Sequence, residues 1–109
     1  MEKKPNQELI TRERKAHAAA LASGELPRRL DLTLSEALVI GLYRLGVRKF
    51  FTVLGHGSTE VGEVLRVYQE AGLVQVLGLR SEIEASHAAA ALRWVTGEKA
   101  AVVTSIGPG

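Results

Sequence analysis

Residues 50–58, FFTVLGHGS, decide the fold. The run from Phe50 to Leu54 is unbroken, apolar and rich in residues that favour extended backbone, as a strand covered on both faces requires. The glycines of Gly55-His56-Gly57 let the chain turn sharply, and Ser58 can cap the helix that follows. That helix is predicted from Val61, Val64, Leu65 and Tyr68, which keep helical spacing until Gly72 stops it. Val74 to Leu77 reads as a second strand. Ser81 with Glu84 forms a possible capping box that opens an alanine-rich helix through Trp94, ending near Gly97. Ala100 to Thr104, AAVVT, is a third strand. Strands alternating with helices over short connections predict right-handed parallel crossovers, so the class is α/β with a parallel sheet.

Working upstream, Thr33 followed by Glu36 is a capping box, so a helix is expected from Leu34 to about Leu45. Leu34, Leu38, Leu42 and Leu45, with Ala37 and Gly41 beside them, recur at three and four residues and are expected to form its buried face. Gly46 ends it with a left-handed cap. Residues 1–31 differ in character and read as an amino-terminal helical arm and linker. Gln7 to Ala22 is rich in helix formers with only a weak apolar stripe, and Gly24 and Pro27 break it. Two readings stay open here: an arm that docks onto something else, and a helix that frays. Arg12, Arg14, Lys15, Arg28 and Arg29 gather in this third, and a solvated or partner-facing arm is the expectation rather than a nucleic-acid contact.

Composition narrows the function classes. A chain of 109 residues makes one domain at most, and 46% hydrophobic with 24% charged residues is ordinary for a soluble globular chain. Aromatic content of 5% argues against a base-stacking nucleic-acid platform, so no nucleic-acid partner is expected. The absence of cysteine excludes disulfides, thiolate metal sites and a cysteine nucleophile. No stretch approaches the ~20 apolar residues of a membrane span and the start lacks a signal-peptide core, so a cytoplasmic location away from membranes is the default expectation. Three strands make a thin sheet, and no covering helix follows the last. A fragment is expected, or one subunit of a divided enzyme whose other chains complete the sheet.

In open parallel sheets, ligands sit beyond the carboxyl ends of the strands. Three unusual segments fall there: Gly55-His56-Gly57, Arg80-Ser81-Glu82 and Ser105-Ile106-Gly107-Pro108-Gly109. The first is neither a dinucleotide fingerprint, since the next glycine is Gly62, nor a phosphate loop. Taken singly it is a tight turn, with His56 alternatively facing a ligand as donor or proton carrier. Glu82 and Glu84 stand at a helix start, where carboxylates are favoured, and Glu84 is read as a cap. His87 is read as packed or hydrogen-bonded, Glu84-x-x-His87 is weak as a metal pair, and no metal site is predicted. Trp94 is assigned to core or interface. A flavodoxin-like module that binds an anion at the Ser58 helix start is a weaker reading of the same pattern.

Taken in order, the capped helix Thr33-Leu34-Ser35-Glu36-Ala37-Leu38, Leu45-Gly46-Val47, the apolar strand with its glycine turn, Arg80-x-Glu82 with His87-Ala88-Ala89, Thr96-Gly97, and Thr104-Ser105-x-Gly107-Pro108-Gly109 resemble the amino-terminal domain of the acetolactate synthase and benzoylformate decarboxylase group of thiamine diphosphate enzymes. The glycine turn lacks the group's usual proline and is one residue shorter. With Phe51-Thr52 and the closing Gly-Pro-Gly it is more similar to the trihydroxycyclohexanedione hydrolase of inositol breakdown. Glu84 stands where many members have glycine. The resemblance implies a flavodoxin-like pyrimidine-binding domain, of which residues 32–109 are the first part. It implies that Glu82 is the carboxylate that bonds N1′ of the aminopyrimidine and activates the cofactor. It further implies that Gly107, Pro108 and Gly109 border the cofactor and that Gly55, His56 and Gly57 lie near the substrate. The implied activity is that of a lyase or hydrolase acting on a 2-keto or cyclic diketone substrate. The diphosphate and Mg²⁺ are held in such enzymes by a domain with a Gly-Asp-Gly motif, which this sequence lacks, so a partner chain in a homo- or hetero-oligomer is implied. The alternative is a non-catalytic structural or regulatory subunit that keeps the fold.

Overall fold

The structure, a computed structural model, describes residues 3–25, 32–53 and 59–104. Its elements in chain order are α1 (Lys3–Ser23), α2 (Leu34–Arg44), β1 (Lys49–Val53), α3 (Thr59–Glu70), β2 (Gln75–Gly78), α4 (Glu82–Thr96) and β3 (Ala100–Thr104). The fold is α/β with a three-stranded parallel sheet in the order β2-β1-β3, in keeping with a flavodoxin-like arrangement. The central strand β1 is paired on both sides, with Phe51 opposite Leu77 on one neighbour and Val102 on the other. This is why β1 carries the unbroken apolar run: its residues 50–52 are all buried.

Side chains alternate across the sheet, so Phe50 and Phe51 enter different layers. Phe50 joins Val39, Ile40, Val64, Leu65 and Tyr68 in the main core, built from α1, α2, α3 and one face of the sheet. Phe51 points the other way, where α4 packs on β1 and β3. The crossover β1-α3-β2 moves outward and β2-α4-β3 returns across β1. With right-handed connections, that reversal places α3 and α4 on opposite faces. Gly46, Gly72 and Gly97 all have positive φ and end their helices as expected.

Two sequence expectations are overturned. The leucine stripe of α2 is not its buried face: Leu34 is 88% exposed, Leu38 52% and Leu45 66%, and only Leu42 is partly packed. The face that turns inward carries Glu36, Val39 and Ile40. Glu36 fixes the rotation, because its Oε2 accepts from the Tyr68 hydroxyl at 2.7 Å and lies 3.0 Å from His17 Nδ1. Thr33 does cap α2 by accepting from the Glu36 amide, but the Glu36 carboxylate is drawn into the core instead of reaching back. The second correction concerns the arm. α1 docks on α3 through Ala18, which is fully buried, and Arg14 of the basic cluster is buried instead of solvated, while Arg12 and Lys15 are exposed. Arg28 and Arg29 lie outside the described residues.

Candidate functional site

Because all three strands are parallel, Val53, Gly78 and Thr104 end along one rim of the sheet. Glu82 stands on this rim as the first residue of α4, four positions beyond the edge strand β2. The helix start is built locally. Ser81, in extended backbone at φ −151 and ψ 158, accepts from the Glu84 amide at 3.2 Å. The Glu84 carboxylate accepts from the Arg80 amide at 3.1 Å, so Glu84 is a capping residue and is committed to the backbone.

Glu82 is left with a different character. It is half-buried and makes no hydrogen bond or ion pair among the described residues. An ionised carboxylate has about four acceptor positions, and those of Glu82 remain available to a donor brought by a ligand, close to the positive end of a helix. A carboxyl group so placed can accept from, or share a proton with, a ring nitrogen. That chemistry fits an aminopyrimidine. The described residues hold no cluster of His, Cys, Asp or Glu able to bind a metal ion.

The other rim segments of the sequence reading, Gly55-His56-Gly57 and Gly107-Pro108-Gly109, lie outside the described residues, as does Ser58. His87 is hydrogen-bonded, its Nδ1 standing 2.8 Å from the Ile83 carbonyl, and it is exposed on α4. Trp94 is 90% exposed and therefore does not belong to the core of this chain. It continues an outward stripe with Ile83, His87 and Ala90, spaced four, three and four residues apart on one face of α4. Sequence reasoning missed this stripe because its small members read as an ordinary alanine-rich helix, although Ile83 and Trp94 keep its spacing.

No helix among the described residues is long and apolar enough to cross a membrane. The family described as thiamine pyrophosphate enzyme, N-terminal TPP binding domain, has a model that matches residues 32–109. No curated protein and no solved structure gives a match.

Proposed function

Since the chain belongs to the thiamine pyrophosphate enzymes through their N-terminal TPP-binding domain, we propose that it is the pyrimidine-binding part of a lyase or hydrolase whose cofactor is activated by Glu82. The observation that carries the reading is a half-buried carboxylate with uncommitted oxygens at the start of α4, on the rim where open parallel sheets collect ligands. When bound, thiamine diphosphate supplies a thiazolium carbon that becomes nucleophilic once its proton is removed. Glu82 would hold the cofactor's pyrimidine by sharing a proton between its carboxyl oxygen and ring nitrogen N1′. Ser81 and Glu84 serve this by fixing the first turn, so that Glu82 is presented from a rigid element. Gly55, His56, Gly57 and Gly107 to Gly109 complete the pocket in this proposal, with a 2-keto acid or cyclic diketone as substrate.

The diphosphate and its Mg²⁺ belong to a partner domain, and the outward face of α4 is where that domain docks. Ile83 is 70% exposed and Val95 81%, beside Trp94. The stripe begins one residue from Glu82, so a domain seated on it also closes the rim around the carboxylate. Large exposed apolar patches rimmed by polar groups mark such contacts.

The test is Glu82→Gln in the complex isolated under native conditions. Assembly is expected to be unchanged, while exchange of the C2 proton of bound thiamine diphosphate, followed by hydrogen–deuterium exchange NMR, slows by at least about a hundredfold, the lower range for losing a positioned acid–base group. Exchange at the native rate would defeat the assignment.

A further inference from the structure

On the sheet face away from α4, the arm leaves an open cleft of about 670 Å³ against the amino ends of α2 and α3, with Ile10, Thr11, Arg14, Thr33, Glu60 and Glu63 in its wall. The nucleophilic carbon chemistry proposed above does not use it. Its anomaly is Arg14. The residue is 7% exposed, yet its guanidinium makes a single hydrogen bond among the described residues, a long one of 3.3 Å from Nη2 to Thr33 Oγ1. Glu60 Oε1 stands 3.8 Å away, outside hydrogen-bond range, and Arg14 Nε is buried with no partner. Glu63 is already paired with Arg66 at 3.2 Å. A guanidinium has five donors, and burying it this poorly matched carries a large desolvation cost.

Thr33 adds a second donor. Its Oγ1 accepts twice, from Arg14 Nη2 and from the Glu36 amide at 3.2 Å. A hydroxyl has two lone pairs and one hydrogen, so that hydrogen remains to be donated, and the residue lines the cleft. The positive ends of two helices converge on the same space. Arg14 and Thr33 thus leave donors unmatched on the inner wall, where an oxyanion satisfies them, while the Glu60 carboxylate, 3.8 Å from Arg14, is 63% exposed and solvated. Glu60 and Glu63 at the mouth disfavour a second negative charge.

We propose that this cleft binds a small monocarboxylate, whose oxygens are taken by the Arg14 guanidinium and the Thr33 hydroxyl. The site is independent of Glu82 and stands or falls without it.

The experiment titrates the full chain with sodium acetate and, separately, with sodium phosphate at constant ionic strength near pH 7, and follows backbone amide shifts by NMR. Acetate is expected to give saturable shifts at Thr11, Thr33 and Glu60, with phosphate binding more weakly. Arg14→Met keeps an apolar stem and removes the buried charge, so it is expected to fold and its half-saturation to rise at least about tenfold, the effect of losing one charge-assisted pair. Arg14→Lys keeps the charge without the planar fork and falls between the two; it carries the test if the methionine variant does not fold. Shifts that grow linearly without saturating, saturable shifts unaltered in the variants, or phosphate binding as well as acetate would each overturn the proposal.

Discussion

At the scale of single residues, the polar chain His17–Glu36–Tyr68 sets the core, since Tyr68 and Glu36 are both buried and meet at 2.7 Å. Tyr68→Phe leaves a buried carboxylate oxygen without this donor, and a cost of about 1–3 kcal/mol is expected in urea unfolding at pH 7. The same contact makes an alkaline prediction. Burial first, and then the hydrogen bond and charge of Glu36, raise the Tyr68 pKa well above its usual 10.0. Between pH 10 and that higher value the unfolded chain has lost a proton that the folded chain keeps. Stability from this group is therefore complete below pH 10 and falls above it, by up to about 1.4 kcal/mol per pH unit. Tyr68→Phe should remove that component of the slope between pH 9.5 and 11. The position of Glu82 at a helix start beyond a strand was legible from local signals, while the role proposed for it comes from the family resemblance. The sequence could not locate the Glu36–Tyr68 pair, because those residues are 32 positions apart and each has a local reading as cap or core.

At the scale of elements, the starts and stops were legible because they are made by neighbours. Thr33, Ser81, Gly46, Gly72 and Gly97 all act where the sequence places them. Gly97 takes φ +77 at the end of α4 with nothing near its Cβ position, so Gly97→Ala costs only the left-handed backbone, about 1 kcal/mol in thermal or chemical unfolding. Ser81→Ala removes the acceptor for the Glu84 amide and costs about 1 kcal/mol. It also loosens the turn that carries Glu82, and amide exchange at residues 82–85 should accelerate. The inward face of α2 was not legible. Its leucines and its Val39–Ile40 pair both have helical period, and periodicity identifies a helix without choosing between two apolar stripes. The choice is made by Tyr68 and by β1, which lie elsewhere in the chain.

At the scale of the whole molecule, the sheet separates two layers that differ in burial. The core side is covered by α1, α2 and α3, while α4 has only Ala85 fully buried and turns Ile83, Trp94 and Val95 outward. Lys49 and Glu98, 2.6 Å apart, pin the end of that helix to β1, but a half-exposed pair of this kind adds at most about 1 kcal/mol. A helix so weakly buried on its own chain would draw further order from the partner domain proposed to seat on it. Trp94 is the single tryptophan in the sequence, so the emission of this chain reports on whether that face of α4 is covered. On mixing with a diphosphate-binding partner of the kind proposed above, the emission should shift to the blue and become protected from acrylamide quenching. Trp94→Ala should leave the unfolding midpoint of the isolated chain unchanged, because the ring is 90% exposed, and should weaken association by at least about 2 kcal/mol, roughly thirtyfold. Unaltered emission in a complex of demonstrated stoichiometry would mean that the partner seats elsewhere. Glu82 would then be closed over by a surface other than the one its own helix offers.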